Sequence, residues 1–230
     1  MTNKISKEIK KHWNHSRLLT IESDGAPNST RFDDFQKAPA LSKTMSCTMN
    51  TFYLLRHGKV CTDKNKPPKE WPLSREGIRQ VFELAKNRTF ENVNFIYSSE
   101  EEKAVHTAQI IADLNRKKVL KLSNFDELNR NRFVENYESA IGEAFSNINK
   151  SRSNWESCLS ALHRFKEGIE LMNMKYKSEQ ILIVSHGIVL TLHFAFLKGE
   201  MDKLFFRWKK LNFLCWGVVK DSTVVKDIVC

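Results

Sequence analysis

The sequence has few of the residues that break or bend a chain. It holds 8 glycines in 230 residues, roughly half the usual share of about 7%, so each glycine is a candidate for a particular backbone task. All 5 prolines lie at or before Pro72, and nothing after that point interrupts a helix. Together these shortages exclude a collagen-like or low-complexity chain. The 5 cysteines, Cys47, Cys61, Cys158, Cys215 and Cys230, form no C-x-x-C pair. An odd, scattered set argues against a disulfide framework or a zinc site and for a reducing, cytoplasmic setting. No apolar run reaches the roughly 20 residues of a spanning helix. The most apolar stretch, 181–197, carries two histidines and two hydroxyls, so no membrane partner is expected. The first residues include lysines but no apolar segment of the kind that directs secretion.

Charge is plentiful but not blocked. Lys and Arg number 37 against 27 Asp and Glu, a formal net charge of +10, yet no five like charges stand together. A basic chain can bind nucleic acid or anionic lipid. It can also simply carry a solvated basic surface around a pocket for a small anion. The even spread favours the second reading and no nucleic-acid partner. The run 205–210, F-F-R-W-K-K, mixes aromatics with bases and reads as a half-buried amphipathic helix. Apolar residues make up 41% of the chain, enough for a core that needs neither disulfide nor metal.

Residues 1–50 and 51–230 differ in texture. The first stretch offers one short basic helix within 5–22, then Pro, Gly, Ser and Asp with little apolar period. It reads as a mobile N-terminal extension, with His12 and His15 solvated and a mitochondrial leader disfavoured by its lysines and acids. From Thr51 the pattern is regular. Short apolar runs at 51–56, 93–99, 118–123 and 180–185 predict strands. Segments 73–87, 99–115, 133–148, 155–176, 188–199 and 200–211 predict helices. Ser74 is a predicted N-cap, with Ile78, Val81, Phe82 and Ala85 on the inner face. Ser99 and Glu102 predict a capping box. Residues 212–221 and 222–229 predict a terminal antiparallel pair. The order βαβαβααβααββ predicts a three-layer α/β/α sandwich, with a mostly parallel central sheet and an antiparallel C-terminal edge. His106, His163 and His193 are expected on helices, solvated or at the edge of the core. Trp71 reads equally as a core plug or a pocket wall.

Two segments share one texture, Y-L-L-R-H-G at 53–58 and L-I-V-S-H-G at 182–187. Each is an apolar strand followed by one polar residue and His-Gly. In an open α/β sheet, ligands bind beyond the carboxyl ends of the strands, and His57 and His186 fall at two such ends. If the strands are neighbours, both imidazoles face one pocket, with Gly58 and Gly187 allowing a sharp turn and close approach. A neutral imidazole can carry a phosphoryl group. The Arg56 guanidinium matches phosphate oxygens, and a second His can stabilise developing charge. Such a set transfers phosphate with no metal or cofactor.

Five segments in order then resemble the histidine phosphatase superfamily, the phosphoglycerate mutase-like proteins. They are L-L-R-H-G at 54–58, W-P-L-S-R-E-G-I-R-Q at 71–80, I-Y-S-S-E-E-E-K-A-V-H-T-A at 96–108, F-D-E-L-N-R at 125–130 and I-L-I-V-S-H-G at 181–187. The resemblance implies a phosphoglycerate mutase-like fold and a metal-independent phosphomonoester phosphatase in which His57 becomes phosphohistidine. It makes Arg56 a phosphate ligand, His186 the second pocket histidine and Glu127 the acid that protonates the leaving oxygen, with Asp126, Glu135 and Glu138 close by. Lys103 stands where the family has its second pocket Arg, and Glu100 where it has Pro. Lys103 is therefore read either as the pocket's second cation or as a surface lysine among Glu100, Glu101 and Glu102. A mutase would use the same pocket, but only 14 residues separate Gly58 from Leu73, which favours a phosphatase. A third reading is a family member with a weakened pocket that binds an anionic partner. The expected substrate is a phosphorylated small molecule or phosphopeptide.

Overall fold

The computed structural model of the chain describes residues 49–152 and 154–229. The predicted basic helix of 5–22, His12, His15, Cys47, Cys230 and all but the last two residues of the expected extension lie outside them.

Every element expected from Thr51 onward is present. The order is β1 (Thr51–Arg56), α1 (Arg75–Lys86), β2 (Phe95–Ser98), α2 (Glu102–Leu114), β3 (Val119–Lys121), α3 (Tyr137–Ser146), α4 (Cys158–Lys175), β4 (Gln180–Ser185), α5 (Gly187–Lys198), α6 (Leu204–Lys210), β5 (Trp216–Lys220) and β6 (Thr223–Lys226). The strands form one sheet in the order β3-β2-β4-β1-β5-β6. The first four are parallel, and β5 and β6 complete the sheet antiparallel. Helices cover both faces. On one, Val81, Ala85, Ala104, Ala108 and Ile111 of α1 and α2 pack on Leu55, Ile96, Leu182 and Val184. On the other, α5 lies against β1, β6 and the neighbouring helices α4 and α6.

The apolar run 181–197 divides between β4 and α5. Residues 181–195 are buried without exception, as expected of a strand covered on both faces and a helix that is apolar all round. The two antiparallel strands approach α5 closely at Gly217, where a Cβ would stand 2.5 Å from the Phe194 ring.

Three local expectations are corrected. Ser74 caps α1 by accepting from the Gly77 N–H at 3.0 Å, but Ile78 and Phe82 are exposed, and the inner face is Gly77, Val81 and Ala85. Ser99 does not cap α2. The helix starts at Glu102 with no side-chain cap, because the Ser99 hydroxyl is engaged with His186. His193 lies deep in the core between Phe165 and Phe194, not at its edge. In α6 the buried side chains are Leu204 and Arg207, while Phe205 and Phe206 face out. Arg207 is held by Glu200 and Asp227. The run 205–210 is thus the half-buried helix expected, with Trp208 packing on Tyr137 and Phe205.

Candidate active site

Register brings the two His-Gly turns together. β1 and β4 are parallel neighbours, with Arg56 opposite Ser185, so His57 and His186 leave the sheet side by side. Their ring centroids are 5.1 Å apart. The His57 N–H donates to the Ser185 carbonyl at 3.0 Å, which locks the two strand ends to each other.

Both imidazoles are buried, and burial pushes both pKa values well below the ordinary histidine value. Each ring also lowers through the Arg56 and Lys103 charges, and His57 through His186 as well. Neutral rings are the result near pH 7. His57 Nδ1 lies 2.8 Å from the Gly58 carbonyl. A carbonyl can only accept, so Nδ1 carries the proton and Nε2 keeps its lone pair. His186 Nε2 lies 2.6 Å from Ser99 Oγ. Ser99 Oγ also accepts the Glu101 N–H at 3.2 Å. His186 Nδ1 is buried with no protein partner.

Arg56 is equally short of partners. Its Nη1 donates to the Leu211 carbonyl, and its guanidinium lies 4.4 Å over the Phe213 ring. Its Nε is buried and unpartnered. The glycines after the histidines serve close approach and not a special turn. Gly199 alone among the described glycines has positive φ. A Cβ at Gly58 would meet Val81 at 2.8 Å, and one at Gly187 would crowd the Arg56 guanidinium at 3.2 Å. Thr107 holds Gly58 in place, accepting its N–H at 3.1 Å.

Lys103 is buried, so the surface-lysine reading does not hold. Its ammonium donates to the Pro68 carbonyl at 2.7 Å and pairs with Glu101. Trp71 is also buried, packing on Phe133, with its indole N–H on the Asp63 carbonyl at 2.8 Å.

Glu127 sits beneath the start of α5. One carboxylate oxygen accepts from the Leu128 and Val189 N–H groups at 2.9 and 3.2 Å, and the other from Ile188 at 3.1 Å. Burial and the neighbouring Glu101 raise its pKa, and the helix-terminal donors oppose that rise. Of the nearby acids, Glu135 and Glu138 form exposed ion pairs with Lys64 and Lys209. Asp126 accepts the Glu100 N–H at 2.7 Å. A cavity of about 690 Å³ opens beside this group, bordered by Pro68, Glu101, Glu127, Asn129, Arg130 and Trp155.

The structure thus gathers Arg56, His57, Gly58, Lys103, His186 and Gly187, with Glu127 at the root of α5. Sequence reasoning missed Ser99, Glu101, Thr107 and Phe213. The serine and threonine lay inside a recognised segment, Ser99 read only as a helix cap and Thr107 with no assigned task. Phe213 gave no signal, because nothing local ties residue 213 to residue 56.

The family model for the histidine phosphatase superfamily (branch 1) matches residues 52–219. The chain belongs to that superfamily. Solved structures share its fold. A phosphoserine phosphatase from Entamoeba histolytica, crystallised with phosphoserine, is 20% identical with a TM-score of 0.61, covering 77% of this chain and 95% of its own. A mycobacterial glucosyl-3-phosphoglycerate phosphatase is 16% identical with a TM-score of 0.61, covering 73% and 88%. A phosphoglycerate mutase from Bacillus anthracis is 19% identical with a TM-score of 0.57, covering 78% and 92%. No curated protein sequence matches the chain significantly. No helix among the described residues is long and apolar enough to cross a membrane.

Proposed function

We propose that this superfamily member hydrolyses phosphomonoesters through a phosphohistidine on His57. The observation that carries the reading is a pair of buried nitrogens without protein partners, Arg56 Nε and His186 Nδ1, beside the Nε2 lone pair of His57. Each unpaired buried donor costs about 1–3 kcal/mol. Phosphate oxygens supply an acceptor for Arg56 Nε, and for His186 Nδ1 in the tautomer that carries its proton there. The guanidinium presents a planar fork to those oxygens, and Lys103 adds a second cation.

In the first step His57 Nε2 attacks phosphorus and the bond to the leaving oxygen breaks. Glu127, whose raised pKa favours the acid form, gives that oxygen its proton. In the second step water attacks the phosphohistidine, the N–P bond breaks, and the water's proton returns to Glu127. Inorganic phosphate and a histidine free to react again remain. Arg56, His186 and Lys103 meet the negative charge that builds on the equatorial oxygens. The same pocket suits a mutase, but the short 59–72 connection favours hydrolysis. A phosphorylated small molecule is the preferred substrate class, in line with the phosphoserine and glucosyl-3-phosphoglycerate phosphatases that share the fold.

The test is chemical trapping with radiolabelled phosphomonoester. Wild type is expected to accumulate acid-labile, base-stable label, and His57→Ala to lose label and turnover while melting at an unchanged temperature. Full turnover in His57→Ala would overturn the assignment.

A further inference from the structure

Glu101 is a carboxylate inside the group of cations meant for phosphate. Its side chain is only 11% exposed. One oxygen pairs with the Lys103 ammonium. The other accepts the Glu127 N–H at 2.8 Å and stands 3.7 Å from His186 Nε2. Its own N–H reaches Ser99 Oγ at 3.2 Å, the hydroxyl that His186 uses. It also borders the 690 Å³ cavity. One side chain thus touches the second cation, the second imidazole's partner and the backbone of the candidate acid.

An ionised carboxylate and a phosphate dianion compete for the same ammonium, and like charges within a few ångströms repel strongly where water is sparse. Among the described residues Lys103 has one other acceptor, the Pro68 carbonyl. Its charge is therefore already matched before any substrate arrives. Arg56, by contrast, has an unpartnered Nε. The two cations differ in kind: one is open to an anion, and the other is taken.

We propose that Glu101 is an internal anion that holds the phosphate's place beside Lys103 and His186. A phosphate group then gains Lys103 only by displacing the carboxylate, and residue 101 sets how tightly the pocket holds phosphate. This rests on the phosphate reading of the pocket given above. It accounts for a chain that keeps the reactive histidines while adding an acid among their cations. Such a pocket releases its phosphate product readily and takes its selectivity from contacts to the rest of the substrate.

The experiment is calorimetric titration of the full-length chain with inorganic phosphate, paired with trapping of label on His57. Glu101→Gln keeps the size and one acceptor oxygen but removes the charge. It is expected to bind phosphate about 10- to 100-fold more tightly than wild type, the size of one charge-assisted contact regained. Saturating phosphate should raise its melting temperature more than that of wild type. Glu101→Asp keeps a partner for the buried ammonium and guards against loss of folding. Its shorter arm should give a smaller gain in the same direction. In Glu101→Gln/Lys103→Met the gain should vanish. Phosphate binding by Glu101→Gln and Glu101→Asp equal to or weaker than wild type, with His57 still labelled, overturns the displacement and leaves the phosphohistidine reading standing. No label and no phosphate binding in any variant overturns both.

Discussion

A buried imidazole with no partner is costly to charge, and His193 is a case without any catalytic demand on it. It packs between Phe165 and Phe194 with both nitrogens unpartnered, and burial lowers its pKa to about 3. The folded chain therefore refuses a proton that the unfolded chain accepts as pH falls below about 6.5. Stability is whole above that value and is lost progressively from about 6.5 down to about 3. At pH 5 the loss from this one group is on the order of 2 kcal/mol. His193→Phe should match wild type near pH 7.5 and melt roughly 4–8 °C higher at pH 5, with calorimetric scans at both values as the measurement. A pH-independent gap would show that His193 titrates as in the unfolded chain. The same residue marks a limit of sequence reasoning. A lone histidine on an apolar helix gives no sign of depth, so a core position was indistinguishable from an edge. His57, His186 and Arg56 were legible because each stood in a repeated strand-end pattern. Glu101 was not, because three consecutive glutamates look like a solvated helix start.

At the scale of elements, the order of strands and helices along the chain follows from apolar runs and helix lengths, both readable in one dimension. The pocket needs more, namely the register of β1 on β4 and a clamp on the segment bearing Glu127. That clamp is Arg164 of α4. Its Nη1 donates to the carbonyls of Ser123, Asn124 and Asp126 at 3.0, 3.0 and 3.1 Å, and its Nη2 to that of Glu127 at 3.2 Å. Glu156 fixes the guanidinium from the other side at 2.8 Å. These contacts join residues about forty positions apart, and no local pattern in the sequence announces them. Arg164→Met keeps the aliphatic stem but frees the four carbonyls. Turnover of an alkyl phosphate should fall by about 10- to 100-fold through misplacement of the acid, while inorganic phosphate binds nearly as before, since Arg56, Lys103 and the histidines remain. Steady-state kinetics beside a phosphate titration separates the two effects. Equal losses in both would mean that Arg164 supports the whole pocket and not the acid alone.

For the whole molecule, the question is where the folded domain begins. The formal charge of +10 belongs to the full chain and speaks to solubility and to anionic ligands, not to that boundary. Asn50 is buried just before β1. Its amide donates to the Asn173 side chain at 3.0 Å and the Tyr176 carbonyl at 2.9 Å, and its oxygen accepts the Glu179 N–H at 2.9 Å. One side chain thus ties the entry of β1 to the end of α4 and the entry of β4, the two strands whose far ends carry the histidines. We propose that residues 51–230 with Asn50 form the folding unit and that residues 1–48 are dispensable to it. A chain starting at Met49 should melt within about 2 °C of full length and keep its turnover. A chain starting at Thr51 leaves the Tyr176 carbonyl and the Glu179 N–H without their partner, at about 1–3 kcal/mol. It should therefore melt roughly 2–12 °C lower. If the Met49 chain instead melts as low as the Thr51 chain, the earlier residues contribute to stability and the domain starts before β1.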